Sequence, residues 1–131
     1  MAIKYRVQER VQPGVKGGGK RKYYATIATD GEVTIDELVK EIEKFSALSE
    51  ADIHGVIIAL ENVIQDRLAD SKIVRLEKLG TLYPSLSSEG KDMEEEVDGN
   101  CIKNVKVNYR PGVRMLKTMK NAGFKKVAKK K

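Results

Sequence analysis

Tryptophan is absent from this chain of 131 residues, cysteine and histidine occur once each, and proline three times. Each shortage excludes something. The single thiol, Cys101, closes no disulfide within the chain, so a reducing compartment is expected. The one imidazole, His54, has no second histidine and only a distant thiol, so neither a metal site nor a His-based nucleophile site can be assembled; it reads as a surface or interface residue. No apolar run approaches the roughly 20 residues that span a bilayer, and the opening MAIKYRVQERV lacks the apolar stretch of a signal peptide. The expected location is cytoplasmic. Aromatic residues make up 5% of the chain, so core packing must rest on Ile, Leu and Val, and a second copy of the chain is expected to complete that core. No nucleophile–base pair is visible. The expectation is a protein with no catalytic activity, no cofactor, no metal and no small-molecule substrate.

What the chain has is segregated charge. The net charge is +6, but residues 1–33 carry +4, residues 34–72 carry −5, residues 92–98 carry −5 and residues 99–131 carry +11. Basic ends flanking an acidic middle point to a polyanionic partner, with nucleic acid favoured over a membrane surface.

The pattern begins with alternation in Ile3–Val11, with Ile3, Tyr5 and Val7 on one side and Lys4, Arg6 and Gln8 on the other. Pro13-Gly14 and Gly17-Gly18-Gly19 follow in a loop carrying Lys16, Lys20, Arg21 and Lys22, and Tyr23–Ala28 is a second strand. Residues 1–33 thus form a β-hairpin with a basic loop. The glycines do not open a helix and no Gly-Lys-Ser/Thr ends them, so a mobile basic loop is read here in preference to a phosphate-binding nucleotide loop. Thr34 and Glu37 make a capping box before a helix marked by Ile35, Leu38, Val39, Ile42 and Phe45. Ser49 and Asp52 cap a longer one, whose wide stripe (Ile53, Val56, Ile57, Leu60, Val63, Ile64) suits a dimer interface.

A ribbon then runs from Lys72 to Gly112. Arg75 alternates with Val74 and Leu76, Lys78 precedes a bend at Leu79-Gly80-Thr81-Leu82, and Pro84 implies an edge or kink. Residues 87–100 predict a mobile loop or arm tip containing the acidic set Asp92, Glu94, Glu95, Glu96 and Asp98, which lacks the spacing of a calcium loop. Ile102, Val105 and Val107 return as a strand with Lys103 and Lys106 among them. Arg110-Pro111-Gly112 leads into a short helix ending at Gly123, and the basic tail can add one short strand. The candidate nucleic-acid-binding residues are Arg75, Lys78, Lys103, Lys106, Arg110, Arg114, Lys117 and Lys120, joined by Lys125 and Lys126 and by the loop set Lys16, Lys20, Arg21 and Lys22. Nothing in them supplies a base-reading code, so low sequence specificity is expected.

This order of elements resembles the HU and integration-host-factor family of bacterial histone-like DNA-binding proteins. The family's Gly-Phe-Gly-Thr-Phe bend is similar to Leu79-Gly80-Thr81-Leu82, and its Phe-x-Pro-Gly step to Tyr109-Arg110-Pro111-Gly112. Residues 1–33 resemble the N-terminal strand extension of one histone-like subfamily. The resemblance covers residues 34–121 and implies an α+β, HU-like fold: a helical hairpin base, a β-ribbon arm over 82–109, a short C-terminal helix, and an intertwined homodimer. The domain reading is 1–33 as an extension packed on the core, 34–124 as the HU-like domain and 125–131 as a basic tail. It also implies duplex DNA as partner, a histone-like role in DNA condensation, and a place in the bacterial nucleoid. The Asn-Pro tip with which relatives wedge open base steps is missing here. RNA binding on the same scaffold, and a protein-interaction module that has lost DNA binding, stay open as alternatives.

Overall fold

The computed structural model describes residues 1–12, 14 and 16–128; Pro13 of the expected turn and the last three lysines of the tail lie outside the described residues. The chain is α+β, with three α-helices and two three-stranded sheets among the described residues. It divides into two compact units: Met1–Thr34 together with the chain from Lys117 onward, and Ile35–Leu116.

In the first unit, β1 (Ile3–Val11) pairs antiparallel with β2 (Arg21–Ile27) and parallel with β6 (Phe124–Lys126), in the order β2-β1-β6. β6 is the short strand that the tail pattern predicts. Directly paired residues share a face of a sheet. The register therefore puts Ile3, Tyr5, Val7, Ala25, Ile27 and Phe124 on one side and the alternate residues on the other. β2 starts two residues before the predicted strand, because pairing runs on through Val11–Arg21 and Arg10–Lys22. Arg21 and Lys22 are thus strand residues, a correction to their reading as loop residues.

In the second unit, α1 (Ile35–Lys44) starts directly after Thr34, and α2 (Glu50–Ala69) starts with the expected capping box. The Asp52 N–H donates to Ser49 Oγ at 3.2 Å, and the Ser49 N–H to Asp52 Oδ2 at 3.3 Å. α2 closes in a Schellman turn: Lys72 N–H donates to the Arg67 carbonyl and Ser71 N–H to that of Leu68, both at 3.0 Å, with Ser71 at φ 61°. Val39 and Ile53 are the buried residues of the helical hairpin, and His54 Nε2 lies 3.1 Å from Asp36 Oδ1 across it. Much of the apolar stripe, including Ile42, Val56, Leu60 and Val63, is exposed. Phe45, read from the sequence as part of α1's apolar face, falls just past the helix and is 90% exposed.

The ribbon consists of β3 (Val74–Arg75), β4 (Gly80–Ser88) and β5 (Ile102–Pro111), in that order across the sheet. Pro84 sits beyond the last β3 pair, Val74–Leu82. Leu76 N–H donates to the Gly80 carbonyl, which places the backbone groups of even-numbered β4 residues toward β3. The N–H that Pro84 lacks would thus point past the end of β3, an edge position as the sequence implies. At the arm tip, Glu94–Glu96 and Gly99–Cys101 form two 3-10 turns. Cys101 is buried there, with Sγ 3.5 Å from the Glu96 carbonyl oxygen, and its own carbonyl accepts from Glu89 N–H at 2.8 Å. α3 (Val113–Asn121) follows β5.

Candidate nucleic-acid interface

Two glycines let the ribbon bend tightly at its base. Gly80 has φ 127°, a conformation that side chains disfavour, and a Cβ there would collide with the Arg110 carbonyl. A Cβ on Gly112 would collide with the Lys78 carbonyl. The Tyr109 hydroxyl, 3.1 Å from Met115 Sδ, locks the same corner by donating to the Leu79 carbonyl at 2.6 Å. The Leu-Gly-Thr-Leu and Arg-Pro-Gly segments are therefore two sides of one close backbone contact.

Register then decides which side chains share a surface. Arg75 is opposite Thr81, Thr81 is opposite Arg110, and Ser85 is opposite Lys106. These residues share one face with Tyr83 and Asn108, and no Asp or Glu occurs among that face's strand residues. Arg110 lies over the Tyr83 ring at 5.3 Å, and Asn108 Nδ2 donates to Ser85 Oγ at 2.7 Å. The opposite face holds Val74, Leu82, Leu86, Val105, Val107 and Tyr109, and is apolar. Val105 is 71% and Val107 61% exposed.

Of the sequence-predicted candidates, the fold brings Arg75, Lys106 and Arg110 together on this polar face. Lys103 falls at the irregularity where Ser87 pairs with Asn104 but Ser88 with Ile102, so it belongs to neither regular row. Lys78 sits in the 3-10 turn Glu77–Leu79. Arg114, Lys117 and Lys120 recur every three residues along one side of α3. Lys16 and Lys20 lie exposed between β1 and β2, whereas Arg21 and Lys22 point to opposite faces of the first sheet. The sequence reading left out Tyr83 and Asn108, whose places beside the cations depend on cross-strand register. It also left out Arg10, which the alternation in IKYRVQERV puts on the side of Lys4 and Arg6.

Elsewhere, Lys4 donates to Asp30 Oδ2, and this hydrogen bond, with the lysine's charge behind it, holds the Asp30 carboxyl below its ordinary value. Among the described residues no three His, Cys, Asp or Glu side chains converge as a metal site. No described helix is long and apolar enough to cross a membrane.

The second unit is thus a helical hairpin followed by a bent β-ribbon, one face of which carries Arg75, Lys106 and Arg110. The family model HU-HIG, described as "HU domain fused to wHTH, Ig, or Glycine-rich motif", matches residues 1–126. The chain belongs to that family. Among solved structures it is similar to a crystal structure from Bacteroides vulgatus ATCC 8482, described provisionally as that of a bacterial DNA-binding protein. The TM-score is 0.69 at 10% identity, and the match covers 98% of this chain. The chain spans 50% of the length of that structure. No curated protein matches the sequence.

Proposed function

We propose that the protein is a non-enzymatic, histone-like architectural protein that binds duplex DNA through its phosphates with low sequence specificity. The observation that carries the reading is the face shared by Arg75, Lys106 and Arg110, free of carboxylates, in a chain of an HU-domain family. Arg114, Lys117 and Lys120, recurring along one side of α3, are further phosphate-binding candidates. Contacts of this kind neutralise phosphates without reading bases. The setting that fits is the cytoplasm, on the bacterial nucleoid, in DNA condensation, and the N-terminal hairpin suits a subfamily with a strand extension.

The working form would be an intertwined homodimer. The chain exposes 11523 Å². A compact monomer of this size exposes about 6,900 Å², and even two separate half-size domains about 8,300 Å². The surplus of about 3,000 Å² per chain, about 6,000 Å² for two chains, matches the upper end of obligate homodimer interfaces. Exposed Val56, Leu60 and Val63 on α2 supply apolar surface for it. Sedimentation equilibrium checks this, with a stable dimer for the natural chain and a monomer or unfolded chain for Leu60→Asp.

A salt titration of binding to a labelled duplex tests the function. Log affinity should fall linearly with log salt, and Arg75→Ala, Lys106→Ala and Arg110→Ala should each make the slope shallower by about 0.9. A chain with no salt-dependent binding at low ionic strength would sink the reading. Competition with duplex RNA separates the RNA-binding alternative, since phosphate contacts alone do not discriminate.

A further inference from the structure

The first sheet carries a second segregated surface. Lys4, Arg6, Arg10, Lys22 and Lys125 all fall on its polar face, with Tyr24 among them. Glu9 is the one carboxylate of these three strands; it falls on the other face, where Arg21 Nη1 lies 4.0 Å from its Oε1. Alternation has therefore removed every strand acid from the cationic side.

That side also sets like charges directly against each other. Arg10 stands opposite Lys22, and Lys4 opposite Lys125. Like charges opposed across strands destabilise a sheet. Asp30 answers Lys4 alone. Arg10 donates to Gln8 Oε1 at 3.0 and 3.3 Å, a neutral acceptor that leaves its charge in place. Among the described residues no carboxylate pairs with Arg10, Lys22 or Lys125. An extended polyanion relieves this repulsion. From Arg6 to Arg10 the strand advances about 13 Å, roughly four steps of 3.4 Å along one DNA strand. The half-buried ring of Tyr24, next to Lys22 and paired with Gln8, adds a flat surface of the kind on which bases stack.

We propose that the polar face of the β2-β1-β6 sheet is a nucleic-acid-binding surface in its own right, contacting the phosphate backbone through Arg6, Arg10, Lys22 and Lys125. It lies in a different compact unit from the face of β3, β4 and β5 and does not rest on that face's function.

The test uses the full chain, a labelled duplex of about 30 base pairs, its single strand, and anionic vesicles. In the variant R10Q/K22Q/K125Q, the slope of log affinity against log salt should become shallower by about 2.7, three contacts at 0.9 each. The variant R75Q/K106Q/R110Q should keep salt-dependent binding that R10Q/K22Q/K125Q weakens further. Lys22→Glu guards against misfolding, because a carboxylate opposite Arg10 replaces repulsion with attraction. It should melt no lower than the natural chain yet bind more weakly. A folded R10Q/K22Q/K125Q or Lys22→Glu chain that binds as the natural one does overturns the inference. If R75Q/K106Q/R110Q alone abolishes binding, the second-sheet reading stands and this one falls. If only the first-sheet variants matter, the reverse holds. Binding to vesicles with none to either nucleic acid also overturns it.

Discussion

The Arg110 guanidinium carbon lies 5.3 Å from the centroid of the Tyr83 ring, although Arg110 is paired with Thr81 and Tyr83 with Asn108. The contact is diagonal across two strands, so it exists only in this register. It holds a long, flexible cation over a polar surface shared with Arg75, Lys106, Thr81, Ser85 and Asn108.

Tyr83 and Arg110 should accordingly fail in different ways. Tyr83→Leu removes a cation–π contact between a half-buried ring and an exposed guanidinium, worth about 0.5–1 kcal/mol, and so should cost about two- to fivefold in DNA affinity. Its salt slope should not change. Arg110→Ala should make the slope shallower by about 0.9, because a phosphate contact is lost. Titrations of both variants at three or more salt concentrations separate the two effects.

The bend rests on two positions where no side chain fits. Gly80→Ala must hold a Cβ at φ 127° against the Arg110 carbonyl, and Gly112→Ala must push against that of Lys78. Both obstacles are backbone atoms, so relief requires the strands to separate. Each substitution should lower stability by about 2 kcal/mol or more in urea unfolding. Gly90→Ala, with open space around it, should change little.

The acidic tip should oppose the grip of the basic face. E94Q/E95Q/E96Q removes three charges while leaving intact the carbonyl of Glu96 that Cys101 packs against. Affinity for duplex DNA should rise by roughly threefold to tenfold at low salt and converge with the natural chain at high salt, where screening removes the repulsion. Equal or weaker low-salt binding would show that the tip does not act by charge.

Asp30 titrates below its ordinary value of 3.8 because Lys4 hydrogen-bonds to its ionised form. A depressed folded-state value means the pair contributes stability above pH 3.8, which is lost as pH falls through the lowered value. An NMR titration should find the Asp30 carboxyl shifted down in the natural chain and returned to the ordinary range in Lys4→Ala.

The helix starts, the strand alternation and the tight bend were legible in the residues themselves. Ser49-x-x-Asp52 satisfies its own backbone donors, IKYRVQERV alternates with the period of a strand, and Gly80 interrupts a strand where backbones meet. Beyond the two sides of β1, the faces of the sheets were not legible. The irregularity between Ser87 and Ser88 takes Lys103 out of the row of Lys106 and Arg110, and no local pattern announces it. The pairing of Lys4 with Lys125 joins residues from the two ends of the chain, so Lys125 joins the cationic side of β1 only once β6 is in place. Cys101 was read as a lone thiol, and its burial under the acidic tip depends on turns that a Ser-, Gly- and Glu-rich segment does not declare.

The central claim is that DNA lies on the polar face of β3, β4 and β5. Amide chemical-shift mapping of the natural chain during addition of a short duplex at low salt tests it most directly. The expected result is that the largest shifts fall at Arg75, Thr81, Lys106, Asn108 and Arg110, and fade together as salt is raised. Shifts confined to the apolar-face positions Leu86, Val105 and Val107, or no shifts at all, would contradict it.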